Sequence, residues 1–183
     1  VDNLRYAPSQ DHNDFIVCSL GSKVRMKEWG HEKWMGLFKE LSKTVSLPIR
    51  FVGDASQYEK VDEIGKQWPH GYTNLCGKLS IQQSMKAMKF AAFFVGSDSG
   101  PMHIAAALGV PCVAVFTARA LPGVWFPYGP HHRVIYHHTE CAGCGLEECI
   151  VEKRKCIESI TVEEVLEAVI EVWTKVEGTR GTP

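Results

Sequence analysis

Within this 183-residue chain, Ser97-Asp98-Ser99-Gly100-Pro101-Met102-His103 gathers two hydroxyls, a carboxylate, an imidazole and a glycine into seven consecutive positions. The run follows an apolar burst, Phe93-Phe94-Val95, and leads into Met102 to Leu108, which reads as a helix with Pro101 in its first turn. Small residues from Gly96 to Gly100 keep the backbone accessible, and a helix start offers free N–H groups and the positive end of its dipole. Phosphate or diphosphate is the ligand such a turn suits. Ser99 and Gly100 would present hydroxyl and N–H donors to it. Asp98 would repel a phosphate laid against it, so it is expected to grip sugar hydroxyls or to anchor the turn. His103 can donate to phosphate or fix the loop. The plainer alternative is an ordinary strand-turn-helix crossover.

A second cluster, Ser19-Leu20-Gly21-Ser22-Lys23-Val24-Arg25-Met26-Lys27-Glu28-Trp29, follows the first candidate strand, Phe15 to Leu20. Ser22, Lys23, Arg25 and Lys27 crowd a glycine turn, a composition suited to phosphate oxygens. A solvated basic loop is the alternative, and it is the better reading of Lys23 and Arg25. Open α/β sheets place ligands at such strand ends.

The elements that must position these residues alternate strand and helix. Trp34, Leu37, Phe38 and Leu41 recur at helical spacing within residues 31 to 44, and Ile49 to Val52 forms the next strand. Tyr58 to Trp68 reads as a helix, Thr73 to Cys76 as a short strand, and Ile81 to Phe90 as a helix. Phe93–Val95 and the apolar run after Pro111 add two strands, and Arg133 to Tyr136 a sixth. Val162, Val165, Leu166, Val169, Ile170 and Trp173 lie on one stripe after a cap at Thr161. Such alternation predicts an α/β fold, a parallel sheet covered by helices on both faces.

The wording of the first motif, with Ala105-Ala106-Ala107-Leu108-Gly109-Val110-Pro111 after it, resembles the donor-binding signature of glycosyltransferase family 9, the heptosyltransferase-like enzymes. Gly21 and the Lys-x-Trp formed by Lys27 and Trp29 match the same family. The resemblance covers about Phe15 to Trp173 and implies a Rossmann-like domain, the C-terminal half of a GT-B glycosyltransferase. Residues 1–14 then read as an interdomain linker remnant, 15–177 as the nucleotide-sugar-binding domain with a Cys-rich loop at 141–156, and 178–183 as a flexible tail. Resemblance assigns Lys27 to neutralising the donor diphosphate and the departing nucleoside diphosphate. Gly21, Ser22, Asp98, Ser99, Gly100, Pro101, Met102 and His103 join it in donor binding. Asp54 or Glu59 would hold ribose hydroxyls, either being equally readable as a helix-start acid. After the fifth strand the chain departs from the family: Thr117-Ala118-Arg119 stands where relatives carry Gly-Pro-Thr. Thr117 can still offer a hydroxyl, and Arg119 adds a cation for phosphate or sugar.

The implied function is transfer of a sugar, heptose from ADP-heptose, to a lipopolysaccharide core acceptor. The acceptor site and general base belong to a first domain that this stretch does not include, so the chain by itself is expected to bind donor and to transfer poorly. Transfer requires no cofactor. The alternative is a non-catalytic nucleotide-binding or Cys-knuckle interaction domain.

Four of the seven cysteines are spaced Cys141-x2-Cys144-x4-Cys149-x6-Cys156, with Gly143 and Gly145 between them. That cluster admits a structural zinc site, with His137 and His138 as substitute ligands, or disulfides, reduced thiols or an iron–sulfur cluster. Cys18, Cys76 and Cys112 fall in strands as packing residues. A net charge of -1 and the lack of a basic, aromatic-rich face argue against nucleic acid. No G-x-G-x-x-G follows the first strand, which argues against a dinucleotide-dependent oxidoreductase. No apolar run reaches transmembrane length, and the polar residues 1–14 do not read as a signal peptide. A cytoplasmic location is expected, peripheral at the inner membrane in the full-length enzyme.

Overall fold

The computed structural model describes residues 15–150 and 152–180. Six strands, β1 (Ile16–Ser19), β2 (Ile49–Phe51), β3 (Tyr72–Asn74), β4 (Phe93–Ser97), β5 (Cys112–Phe116) and β6 (Arg133–Tyr136), form one sheet ordered β3-β2-β1-β4-β5-β6. Every neighbouring pair runs parallel. Every residue of β1, β4 and β5 is buried, which is why these strands read as continuous apolar runs and not as alternating ones.

Helices cover both faces. α1 (His31–Leu41), α2 (Tyr58–Gln67) and α6 (Val162–Arg180) pack on one through Trp34, Leu37, Val61, Val165 and Val169, with Cys18 and Val95 facing them from the sheet. α3 (Ile81–Met88) and α4 (Gly100–Ala107) cover the other through Met88, Met102 and Ala105, against Val17 and Phe94. A single-turn helix, α5 (Lys155–Glu158), precedes α6. The cap expected at Thr161 is present in reciprocal form: its hydroxyl accepts the Glu164 N–H at 3.2 Å, and the Glu164 carboxylate accepts the Thr161 N–H at 2.8 Å.

Differences from the sequence reading lie at element ends. β3 stops at Asn74, because the Asn74 side-chain carbonyl accepts the Cys76 N–H at 3.2 Å and turns the chain. Cys76 is therefore buried beyond the strand and not in it. α6 continues past Trp173 to Arg180, taking in residues 178–180 of the expected tail. The linker reading of residues 1–14 and the remainder of the tail lie outside the described residues.

The strand order reverses between β1 and β4, and the crevice at their carboxyl ends is where this architecture receives ligands. Gly96 sets how close those ends come. It stands opposite Ser19, and a Cβ at Gly96 would lie 2.2 Å from the Ser19 carbonyl oxygen, inside any allowed contact.

Candidate functional site

Beyond β1 the chain passes Gly21, buried against the Gln57 amide, and closes a short 3-10 turn at Arg25–Lys27. Three contacts fix this turn. The Ser97 hydroxyl donates to the Leu20 carbonyl at 2.9 Å. Met26 is buried with Ala118 and Cys156. Trp29 is fully buried, donates its indole N–H to the Ile160 carbonyl at 3.0 Å and meets Trp34 edge-on with centroids 4.7 Å apart. Lys27, flanked by the buried Met26 and, two residues on, Trp29, reaches across the crevice and sets its Nζ 2.7 Å from Asp98 Oδ2. Ser22 serves the turn itself, accepting the Val24 N–H at 3.3 Å, and Lys23 and Arg25 are solvent-exposed as expected of a basic loop.

Asp98 ends β4 with its N–H on the Val115 carbonyl at 3.2 Å and its side chain only 6% exposed. A carboxylate so buried needs a partner, and the Lys27 ammonium provides one. An ammonium carries three donors; Asp98 engages one face of it and leaves donor capacity for a second acceptor. Beside the pair, the Ser99 and Thr117 hydroxyl oxygens are buried without a protein partner. Buried polar atoms are rarely left so, and two at one strand-end crevice mark a place for a polar ligand. Gly100 opens α4 with nothing within 4 Å of where a Cβ would stand, so a ligand can approach the backbone there. Pro101 follows in the first turn.

Met102 has its side chain fully buried in the core under β4 and β5, and its N–H donates to the Ser99 carbonyl at 3.1 Å, so its side chain packs the turn from below. His103 is exposed one turn along, with Trp125 edge-on at 6.3 Å. Asp54 caps the 3-10 turn Ala55–Gln57 by accepting the Ser56 N–H at 2.8 Å, and Glu59 is exposed in the first turn of α2. Both stand at the β2 end, on the flank of the crevice. Arg119 donates from Nε to the Leu146 carbonyl at 2.6 Å.

Among the described residues no disulfide joins the cysteines. Burial raises the thiol pKa of Cys18 and Cys112 far up and that of Cys76 to about 11, so these three are inert packing groups. Cys141, Cys144, Cys149 and Cys156 gather beside Ala118, and burial, foremost, raises Cys156. Among the described residues no three ligating side chains stand ready to hold a metal. The Arg154 N–H points at Cys149 Sγ at 3.2 Å, and the buried Tyr136 hydroxyl and Arg154 Nε have no protein acceptor. The role of Trp29 could have been found in the sequence only through its Lys-x-Trp spacing, and Arg154 carries no local signal.

The six-stranded parallel sheet, its reversal at β1/β4 and the polar crevice there define a Rossmann-like α/β domain. The family model for glycosyltransferase family 9 (heptosyltransferase) matches residues 2–155, and the chain belongs to that family. It is 26% identical over 145 residues to lipooligosaccharide heptosyltransferase 2 of Campylobacter jejuni, covering 77% of this chain and 45% of that relative. It thus spans about half the length of the curated relatives it matches. Among solved structures, E. coli ADP-heptose lps heptosyltransferase II superposes with a TM-score of 0.71 at 24% identity, over 92% of this chain and 49% of the other. E. coli heptosyltransferase WaaC with ADP gives 0.69 at 21% identity, over 90% and 46%. Among the described residues no helix is long and apolar enough to cross a membrane.

Proposed function

We propose that this chain is the donor-binding domain of a heptosyltransferase, taking ADP-heptose and serving heptose transfer to a lipopolysaccharide core acceptor. The observation that carries the reading is the Lys27–Asp98 pair at the strand reversal, with the unpartnered Ser99 and Thr117 hydroxyls beside it. The family and the names of its relatives supply the donor: one similar structure holds ADP, and another is named for ADP-heptose.

In this reading the diphosphate lies over Ser99, Gly100 and Pro101 at the start of α4, where N–H donors and the helix dipole face it. Lys27 keeps Asp98 on one side and turns its remaining donors to the phosphate oxygens. Asp98, already neutralised, accepts from a sugar hydroxyl through its other oxygen. Ser22, Thr117 and His103 line the approach, Gly21 keeps the backbone close, and Asp54 or Glu59 holds the ribose. In transfer, an acceptor hydroxyl oxygen bonds to the anomeric carbon as the bond from that carbon to the phosphate oxygen breaks, and ADP departs with the bonding pair. Lys27 and the α4 start stabilise the charge gathering on that oxygen. The base that removes the acceptor proton and the acceptor site itself come from the other half of the enzyme. The chain alone therefore binds donor and turns over poorly, working on the cytoplasmic side and, in the full enzyme, peripherally at the inner membrane. No cofactor enters the transfer. Cys141, Cys144, Cys149 and Cys156, not gathered for a metal in this arrangement, would have to close together to hold a structural Zn²⁺, which metal analysis of the purified chain checks.

The test is calorimetric titration with ADP, UDP and GDP, alongside Lys27→Ala. Preferential ADP binding weakened about tenfold by the substitution supports the reading, since charge-assisted hydrogen bonds are the stronger class. UDP or GDP preference changes the sugar. Binding of no nucleotide overturns donor binding by this chain and returns the non-catalytic interaction domain.

A further inference from the structure

The cysteine segment touches both walls of the crevice. On the β5 side, the Gly143 N–H donates to the Ala118 carbonyl at 2.8 Å, the Gly145 N–H to the Arg119 carbonyl at 3.0 Å, and Arg119 Nε to the Leu146 carbonyl at 2.6 Å. These three bonds tie the residues just beyond Thr117 to the segment. On the β1 side, Arg154 Nη2 donates to the carbonyl of Glu28, the residue after Lys27. Met26, immediately before Lys27, shares a small buried cluster with Ala118 and Cys156. Arg154 is held by the Glu152–Lys155 turn in the left-handed region at φ +63°, with its N–H on Cys149 and its Nη2 3.5 Å from Glu158 Oε1. A non-glycine residue persists in that conformation where its surroundings over-determine it.

We propose that Arg154 and Arg119 are positioning residues of the donor site, through which the cysteine segment holds the Lys27 turn and the Thr117 strand end at a fixed separation. The inference rests on the donor-site reading above and deepens it. A guanidinium is well suited to this role because it stays charged, and its rigid fork of donors can meet a backbone carbonyl and a carboxylate together, as Arg154 does with Glu28 and Glu158. Neither arginine contacts Lys27 or Thr117 directly in this arrangement; each fixes the backbone beside a residue that would touch ligand. Sub-ångström placement matters at such a site, where a small displacement of a reacting or binding group costs large factors in rate.

The experiment compares the wild-type chain with Arg154→Met, Arg119→Met and the control Lys155→Met, which removes the same charge from an exposed neighbour. Amide hydrogen exchange without ligand is the first readout. Arg154→Met is expected to speed exchange about tenfold at Lys27 and Glu28, whose N–H groups close the 3-10 turn on Val24 and Arg25, while β1 and the Lys155→Met control stay unchanged. Arg119→Met is expected to do the same at Gly143 and Gly145. Unchanged exchange at these amides, or equal acceleration throughout the sheet, overturns the proposal whether or not nucleotide binds. The second readout is affinity for ADP against adenosine. Arg154→Met is expected to lower ADP affinity roughly tenfold with adenosine within twofold, and to add nothing further in a Lys27→Ala background. Full additivity in that cycle overturns action through Lys27. Failure of the wild-type chain to bind ADP at all condemns the donor reading, and the exchange readout still decides the positioning role.

Discussion

The turn after β4 and the segment carrying four cysteines border the same crevice, and they are held there by different means. The first is built into the sheet: Asp98 bonds to β5, Ser97 to the end of β1, and Gly96 lets the two central strands meet without a side chain between them. The second contains no strand among its described residues; it hangs on backbone N–H groups of Gly143 and Gly145 and on two arginine side chains. A sheet-borne turn is fixed by many neighbours at once, whereas a segment held by a few bonds keeps its place only while each of them stands, so single substitutions can loosen the second without unfolding the first.

Thiol chemistry offers the largest expected effect. In the native chain treated with chelator, Cys141, Cys144 and Cys149 should react with an aromatic disulfide reagent orders of magnitude faster than Cys18, Cys76 and Cys112, which burial keeps protonated and out of reach. Counting released thiolate against time, before and after adding denaturant, makes the check. Rapid release from the sheet thiols would erase the distinction between the two regions.

Gly96→Ala comes next. Its Cβ would press on the Ser19 carbonyl from 2.2 Å, and a backbone neighbour cannot rotate aside, so about 3 kcal/mol of stability should be lost by urea unfolding, at the upper end for overpacking. Trp29→Phe should cost about 2 kcal/mol, since it leaves the Ile160 carbonyl without its indole donor and trims a fully buried ring. It should also weaken ADP binding, because Trp29 seats the turn that presents Lys27. A loss of stability with ADP affinity intact would show that the Lys27 turn does not depend on the framework.

The alternation of apolar strands with periodic helices was legible because buried parallel strands and amphipathic helices write their environment into composition. The candidate site was readable where one local stretch carries its own chemistry: Asp98, Ser99 and Gly100 follow directly on β4, and Lys27 closes the turn that comes after β1. What the chain does not write locally is pairing across distance. The salt bridge between Lys27 and Asp98 spans a crevice made only by folding, as do the bonds from Arg154 to Glu28 and from Arg119 to Leu146. The burial of Met102 was unreadable for a related reason: a helix start exposes some positions and buries others, and the neighbouring residues do not say which.

The smallest expected effect tests where the cysteine segment is pinned. His137, leading into it, binds Ser159 Oγ through Nδ1 at 2.8 Å and Glu164 Oε1 through Nε2 at 2.8 Å, so the two ends of the loop are closed at its base. Glu164 also caps α6, and hydrogen bonding, first from the Thr161 backbone N–H and then from His137, holds its carboxyl below the ordinary value of 4.5. A depressed carboxyl contributes stability that is complete above its unfolded pKa and disappears as pH falls through the lower folded value. Glu164→Gln keeps a carbonyl acceptor for the Thr161 N–H and loses only the charge, so it should cost about 0.5 kcal/mol at neutral pH, and the gap from wild type should close as pH falls from 4.5 downward. Unfolding curves of both proteins at several pH values measure it. A gap that persists at acid pH would assign the effect to packing, and exchange at Gly143 and Gly145 that rises in Glu164→Gln at neutral pH would show that the base of the loop governs its reach to the β5 wall.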